Sequence, residues 1–464
     1  MKLAFGITGL IFLGMYIGAE KTLTPPVNDG KVHLKWSTDL NPVRDVQIKK
    51  FEEMYPNDTV TIDPSANGDN SKVIVQCATG VGPDIMDTEA DTMRSMVDAG
   101  VLLDLTPYAA ERGFSPENTY SSIKGDLMYK GKQYRFPCNV DAACIIYNKQ
   151  IFDDHGVPYP QPNWTEEDFI KAANGILHNP SKSGKTHIAY SPSGGVGYWH
   201  DELLARGGSL FSPDGLWSRV NSKASVDGLQ DYSDMMFKYH VIPTPADAAS
   251  ISSQGGWGSG GMNWFYAGQS AMIPIGRWFI CQLPNYPKIT GHLGVVQVPR
   301  IGNLSSVVEC DTRAAAINSK SPHWHEALNF LQYLASPQYS KIVVDSGDAM
   351  PPNPKVAASG QALVNALVPD PAFHAPFVAA TVSGKTMDDD SPYIDAAEVT
   401  RWQGDYVGKV ENKLMTPQQA LDALAEQINQ QIRLNLERRP DLQKVYEQQT
   451  GKVYSPDWWK SVNQ

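Results

Sequence analysis

Carboxylate and indole side chains follow the predicted β-strands of this chain. Trp36 and Asp39 come at the end of a stretch in which polar and apolar residues alternate from Lys31, and Asp87 and Glu89 come in or just after the segment GVGPDIMD. Open α/β sheets place their ligands in the loops that follow the strands. Carboxylates there could accept hydrogen bonds from hydroxyl groups, or a pair could act as general acid and base. An indole face would cover the apolar side of a ligand.

Several catalytic and metal-binding signatures are missing from the sequence. The five cysteines show no C-x-x-C spacing, which argues against zinc ribbons and thioredoxin-like sites. The glycine loop at 255–261 lacks a following Lys-Ser or Lys-Thr, so it is no P-loop, and neither G-x-S-x-G nor H-E-x-x-H occurs. His323 and His325 would point apart on a helix. We therefore expect no metal and no cofactor.

Length and charge narrow the class of protein. The chain has 464 residues, enough for two or more domains, and 42% of them are hydrophobic, as in ordinary folded proteins. The formal net charge is −11, so the chain has no positive field to attract phosphates. This balance argues against a nucleic-acid partner, and the acidity is interpreted as keeping the protein soluble.

The N-terminal residues 1–21 have the pattern of a targeting segment. Lys2 precedes an apolar run that extends from Leu3 to Ala19 and is broken by glycines. This pattern predicts a secretory signal peptide over residues 1–21, and an uncleaved N-terminal membrane anchor is the alternative. Either interpretation places the folded part outside the cytoplasm, in the periplasm or at the cell surface.

The element pattern predicts an α/β fold. After the first strand, Asn41 and Pro42 have the types of a helix cap and a first helical residue, and Val60 and Ile62 mark a second alternating strand. Strand, helix, strand, helix and strand in succession favour a doubly wound, mostly parallel sheet. Thr165 and Thr416 are predicted to cap later helices.

The segment 129–169, YKGKQYRFPCNVDAACIIYNKQIFDDHGVPYPQPNWTEEDF, carries a resemblance. It is similar to the central segment of the extracellular solute-binding proteins of ABC importers, the sugar-binding family that includes maltose-binding protein. Other pieces resemble this family in the same order, among them the segments 51–63, 82–87, 265–280 and 314–336. The resemblance covers nearly the whole chain that follows the targeting segment.

The resemblance implies a two-lobe periplasmic binding protein fold with discontinuous lobes joined by a hinge. Lobe one would be residues 31–141 with 312–352, and lobe two residues 142–311 with 353–464. The implied function is to bind a sugar or oligosaccharide and deliver it to ABC permease subunits by hinge closure, as a monomer without catalysis. A secreted glycoside hydrolase using carboxylates such as Asp87 and Asp141, and a ligand-presenting sensor component, are the alternatives.

The resemblance also implies ligand-binding residues beyond Trp36, Asp39, Asp87 and Glu89. The positions that match the family's binding segments or chain crossings are Asp141, Trp199, Arg277, Trp278, Asp311 and Trp402. Trp257, in the glycine loop, is a further candidate that is peculiar to this sequence. For each aromatic residue the alternative is that its ring packs in a core.

Overall fold

Two separate sheets organise the chain, and each collects strands from distant parts of the sequence. The computed structural model describes residues 29–64, 70–192, 195–247, 261–387 and 391–461. Their strands are β1 Val32–Ser37, β2 Asp58–Ile62, β3 Ile85–Thr88, β4 Met128–Tyr129, β5 Lys132–Gln133, β6 Arg135–Pro137, β7 Asp141–Ala142, β8 Cys144–Asn148, β9 Ile188–Tyr190, β10 Ser270–Ile275, β11 Leu293–Val296, β12 Cys310–Asp311 and β13 Ala314–Ile317.

The first sheet has five strands in the order β2-β1-β3-β13-β6, and the second has four in the order β11-β8-β10-β9. In the first sheet only β13 runs against the other strands, and in the second only β8 does. Each of these two strands directly follows a two-residue strand in the sequence, β8 after β7 and β13 after β12. The predicted mostly parallel α/β sheets are therefore confirmed, with one reversed strand in each.

Helices cover both sheets. They are α1 Pro42–Met54, α2 Asn70–Ala78, α3 Ala90–Asp98, α4 Thr106–Arg112, α5 Lys124–Leu127, α6 Lys149–His155, α7 Glu166–His178, α8 Gly195–Ala205, α9 Lys223–Phe237, α10 Gly261–Tyr266, α11 Trp324–Leu334, α12 Pro337–Ser346, α13 Pro371–Ser383, α14 Ala396–Glu411, α15 Pro417–Arg438 and α16 Pro440–Thr450. The predicted caps are present, because Asn41 accepts a hydrogen bond from the Val43 amide and both Thr165 and Thr416 form capping boxes.

Each sheet has its own hydrophobic core, which defines two lobes. The first lobe packs Leu34 and Phe136 of the five-stranded sheet against Leu331 of α11. The second lobe packs Ile145 of β8 with helices α7, α9 and α15. A third cluster, which includes Val140 and Ile275, lies beside the connections between the lobes. The predicted two-lobe architecture is confirmed.

The chain passes between the lobes through a small antiparallel ribbon. Strand β7 pairs with β12, so that Asp141 lies opposite Asp311 and Ala142 opposite Cys310. A third connection runs beside them, because Val140 and Met350 exchange both of their backbone hydrogen bonds. Short extended segments of this kind can absorb a hinge rotation by small changes in φ and ψ.

The N-terminal residues 1–28, with the predicted signal peptide or anchor, lie outside the described residues. Within the described part of the chain, no helix combines the length and apolar character needed to cross a membrane.

Candidate functional site

A cavity of about 410 Å³ opens beside the β7–β12 ribbon, and we call it the crossing cavity. Its walls come from the ribbon, from one face of α8, from the end of β10 and from the loop that precedes β12. Its size falls within the range of small-molecule sites, roughly 300–1,000 Å³. The described residues that line it include five carboxylates and no arginine, lysine or histidine.

Helix α8 supplies both aromatic and acidic groups to the crossing cavity. Tyr198, Asp201, Glu202 and Ala205 all line it. They follow the spacing i, i+3, i+4 and i+7, which places them on one face of a helix. The helix therefore presents a phenol ring and two carboxylates together, an arrangement that suits a ligand with both apolar and hydroxyl groups.

Trp278, Asp141 and Gly276 form the wall where β10 meets the ribbon. Trp278 is half-buried, and its side chain hydrogen-bonds to Asp141. A Cβ atom at Gly276 would overlap the Asp141 carboxylate, so only glycine leaves room for it. Oδ1 of Asp141 has no hydrogen-bond partner within the described residues. Burial raises the pKa of Asp141 to about 6, in spite of the hydrogen bond from Trp278.

Three other carboxylates of the crossing cavity, Asp201, Glu202 and Asp311, also have raised pKa values. Burial raises the pKa of Asp201, and the charges of Glu309 and Glu202 add to the effect. Burial raises the pKa of Glu202 to about 7, although Arg206 opposes the shift. Part of the Asp311 side chain is open to solvent, but the protein atoms crowded around its carboxyl group reduce its hydration, and this effect, followed by the charge of Asp141, raises its pKa. The cavity thus concentrates acceptors that no nearby cation fully compensates.

A second cavity of about 330 Å³ lies between the lobes, and we call it the interlobe cavity. Helix α3 of the first lobe contacts helix α14 of the second at this place. Glu89 and Arg94 line it from the first lobe, and His200 and Gln403 line it from the second. Nδ1 of His200 lies 3.1 Å from a carboxylate oxygen of Glu309. Asp311 borders both cavities and so connects them.

The first-lobe carboxylates Asp39 and Asp87 belong to an ion-pair network instead. Asp87 accepts hydrogen bonds from Nε1 of Trp36 at 2.7 Å and from Arg313. Asp39 lies 2.9 Å from Arg44, which also contacts Asp348 at 2.6 Å. These carboxylates therefore already have charged partners.

Trp36 and Trp199 were predicted to bind the ligand, and this prediction is corrected because both are core residues. Trp36 has no exposed surface and packs against Phe330 in the first lobe. Trp199 is also fully buried, and its Nε1 donates to the backbone oxygen of Ser225 at 3.1 Å. Trp199 is turned about 100° around α8 from Tyr198, so its ring enters the core and the tyrosine faces the cavity.

The predictions for Arg277 and Trp402 are corrected in the same way. Arg277 is fully buried and donates to the carbonyl oxygens of Ala349 at 2.6 Å and Leu363 at 2.9 Å, so it ties distant backbone segments together. Trp402 is 7% exposed and packs in the second-lobe core. Trp257 lies outside the described residues.

The structure brings Asp141, Trp278 and Asp311 to the crossing cavity and Glu89 to the interlobe cavity. Sequence reasoning missed Asp201, Glu202 and Glu309. Two patterns point to them: the helical spacing from Tyr198 described above, and the alternation of Glu309 and Asp311, which places both side chains on the same side of an extended segment.

A two-lobed α/β fold with a ligand-sized cavity at its chain crossings is typical of small-molecule binding proteins whose lobes close around a hinge. The chain belongs to the bacterial extracellular solute-binding protein family, since the sequence model of that family matches residues 37–341.

Individual relatives are similar at low identity. An uncharacterized ABC transporter extracellular-binding protein of Pyrococcus horikoshii is 24% identical over 344 residues, which are 72% of this chain and 74% of that protein. An ABC substrate-binding protein of Listeria monocytogenes in complex with cycloalternan superposes with a TM-score of 0.70 at 22% identity, covering 86% of this chain and 98% of its own. A solute-binding protein of Thermotoga lettingae bound with α-D-tagatose gives 0.70 at 20% identity, covering 87% and 100%.

Proposed function

We propose that this protein binds a sugar or oligosaccharide outside the cytoplasmic membrane and delivers it to an ABC transporter permease. The observation that carries the proposal is the composition of the crossing cavity. Trp278 and Tyr198 offer aromatic faces for the CH side of a sugar ring, and Asp141, Asp311 and their neighbours offer acceptors for its hydroxyls. The Listeria and Thermotoga proteins, which share the fold, hold cycloalternan and tagatose.

The proposed mechanism is hinge closure between lobe one, residues 31–141 with 312–352, and lobe two, residues 142–311 with 353–464. A ligand held in the second lobe beside Trp278 would also meet the ribbon at Asp141 and Asp311. Contacts that form only when the lobes approach bias the protein toward a closed form. The permease subunits would recognise that form, and the protein would act as a monomer in the periplasm or at the cell surface.

Isothermal titration calorimetry with a panel of mono- and oligosaccharides tests this function. A cognate sugar should bind, and Trp278→Ala should weaken its binding by about 30-fold, because truncating a central aromatic anchor costs about 2 kcal/mol. Trp324→Ala is the matched control, since Trp324 is equally half-buried but packs against Tyr108 in the first lobe. It should leave the affinity unchanged.

Two outcomes would contradict the proposal. If the folded protein bound no sugar of the panel, the assignment of a sugar as its ligand would be wrong. Equal losses of affinity in Trp278→Ala and Trp324→Ala would show that the crossing cavity is not the binding site. Hydrolysis of an oligosaccharide by the purified protein would instead favour the secreted glycoside hydrolase.

A further inference from the structure

Two buried histidine rings meet at the end of the second sheet that faces away from the crossing cavity. Nε2 of His155 lies 2.9 Å from Nδ1 of His187. His155 ends helix α6, and His187 directly precedes β9, so the pair joins parts of the chain 32 residues apart. Their side chains are nearly enclosed, since that of His187 is 7% exposed. Neither His155 nor His187 lines the crossing cavity or the interlobe cavity.

The backbone around His155 determines which of its nitrogens is free. Nδ1 of His155 lies 3.0 Å from the carbonyl oxygen of Asn179, which can only accept, so this nitrogen carries the proton. The Asn179 side chain returns a hydrogen bond to the His155 carbonyl oxygen at 3.1 Å. Nε2 of His155 therefore directs a lone pair at His187. An imidazole N–H bonded to a backbone carbonyl is also the usual support of a metal-binding histidine.

A carboxylate completes the cluster. Oδ2 of Asp154 lies 3.9 Å from Nδ1 of His187, and its side chain is 14% exposed. Hydrogen bonds from the Ser181 hydroxyl at 2.6 Å and the Ser183 amide at 2.7 Å hold the carboxylate in place. One ligand atom from each of Asp154, His155 and His187 lies within 4.8 Å of the other two.

We propose that Asp154, His155 and His187 form a binding site for a divalent transition-metal ion, with Zn²⁺ as the best match. Two imidazole nitrogens and a carboxylate oxygen are typical zinc ligands, at about 2.0–2.2 Å from the metal. In a tetrahedral site such ligand atoms lie roughly 3.3 Å apart. The rings must separate slightly from 2.9 Å, and Asp154 must approach from 3.9 Å.

Metal binding needs no loss of a proton from either ring. His155 already presents an unprotonated Nε2, and His187 binds through Nδ1 once its own proton resides on Nε2. A water molecule takes the fourth position. The ion replaces a single N–H···N hydrogen bond with three metal–ligand bonds, which fasten the end of α6 to the segment that leads into β9. Its effect is therefore on stability, independently of the ligand that the cavities bind.

The test uses the tag-free protein, stripped with a chelator and titrated with ZnCl₂ against a competing chromophoric chelator. We expect one bound equivalent and, at a free zinc concentration about fivefold above the dissociation constant, a rise in melting temperature of about 2–4 °C, as for a stabilisation near 1 kcal/mol. His187→Gln and Asp154→Asn should each weaken zinc binding by at least about 10-fold. His178→Gln is the control, because His178 is exposed at the end of the neighbouring helix α7.

Co²⁺ binding separates this site from the free thiols of the chain. The expected absorption spectrum lacks a thiolate charge-transfer band, and such a band would overturn the proposal. Failure to bind zinc, or zinc binding that both His187→Gln and Asp154→Asn leave unchanged, would also overturn it. Melting curves without metal show whether each variant is folded. Sugar titrations should be the same for His187→Gln and the unaltered protein, so this test is independent of the proposed transport function.

Discussion

Arginines pair with Asp39, Asp87 and Asp348 of the first lobe, whereas in the crossing cavity Glu202 pairs with Arg206 and the three aspartates have no such partner among the described residues. In the first lobe Asp39, Asp87 and Asp348 surround Arg44 and Arg313, all within 4.0 Å of at least one guanidinium. On the crossing cavity, Asp141, Asp201 and Asp311 form no salt bridge with any described residue. The same residue type therefore has two uses: it holds the junction together on one side and remains available as an acceptor on the other.

The pKa values differ in direction accordingly. Burial alone would raise the pKa of Asp348, but Arg44 and Arg313 outweigh it and lower the pKa. The same balance lowers the pKa of Asp39. Around the crossing cavity, burial is not compensated and the pKa of Asp141 rises to about 6. Asp39 and Asp348 therefore support the folded state in their charged form, whereas the charged form of Asp141 opposes folding.

The largest expected effect comes from breaking the first-lobe network. Arg44→Met removes a side chain that is 1% exposed and leaves Asp348, itself 3% exposed, without its nearest cation. Removing one partner of a buried ion pair costs about 3–5 kcal/mol, because the remaining charge stays buried. Urea denaturation should show that loss in the free energy of unfolding at pH 7.

Lys341→Met is the matched control for that experiment. Lys341 pairs with Asp345 at 2.8 Å on α12, where both side chains are exposed. An exposed pair of this kind contributes about 0.3–0.5 kcal/mol. If Arg44→Met cost no more than Lys341→Met, the first-lobe network would not stabilise the junction as described.

The next largest effect on the free energy of unfolding should come from Asp141 in the crossing cavity. Its pH dependence should be opposite to that of the first-lobe carboxylates Asp39 and Asp348, whose pKa values are lowered. A carboxyl whose pKa is raised on folding contributes stability that is complete below its unfolded pKa and is lost as the pH rises through its folded pKa. For Asp141 this window runs from about pH 4 to about pH 6. Asp141→Asn abolishes the titration and keeps an acceptor for Trp278. The variant should therefore exceed the unaltered protein in unfolding free energy at pH 8 by about 3 kcal/mol, since two pKa units correspond to that difference.

Urea denaturation of both proteins at pH 4, 6 and 8 measures this difference, which should shrink toward zero at pH 4. The substitution also removes the charge that raises the pKa of Asp311, so the difference reports the titration of these two neighbouring carboxyls together. A difference that stays constant over this range would show that Asp141 does not titrate as its burial implies, and the contrast between the first-lobe network and the crossing cavity would fail.

Most of the fold could be predicted because its signals are local. Alternation in β1 and β2, the cap at Asn41 and the capping boxes at Thr165 and Thr416 depend on neighbouring residues, and the structure confirms them. The two-lobe arrangement was predicted from the segments that resemble the solute-binding protein family in the same order along the chain. The reversed directions of β8 and β13 could not be derived from local patterns, because strand direction depends on where the chain re-enters each sheet.

The site was predicted less completely because burial is not a local property. Trp199 and Tyr198 are adjacent, and only the helical face decides that the phenol reaches the cavity while the indole enters the core. The role of Arg277 depends on acceptors that are 72 and 86 residues away. Asp141 and Asp311 could be placed near each other, since both belong to chain crossings that the resemblance implied.

The smallest expected effect tests directly which carboxylates a ligand can reach. Asp311 borders both cavities without a salt bridge among the described residues, and Asp39 borders neither cavity and is paired with Arg44. Asp311→Asn should weaken binding of the cognate sugar by about tenfold, near 1.4 kcal/mol, since the substitution replaces one acceptor oxygen with an N–H donor and a lost hydrogen bond costs about 0.5–1.5 kcal/mol.

Asp39→Asn makes the same chemical change at a carboxylate whose Oδ1 is already bonded to Arg44, so titration calorimetry should show an affinity within about twofold of the unaltered protein. Equal losses in the two variants would mean that the sugar also displaces the first-lobe ion pairs when the lobes close. A loss in Asp39→Asn alone would place the ligand on the opposite lobe. Only a loss confined to Asp311→Asn agrees with a division in which paired carboxylates maintain the junction and unpaired ones bind the ligand.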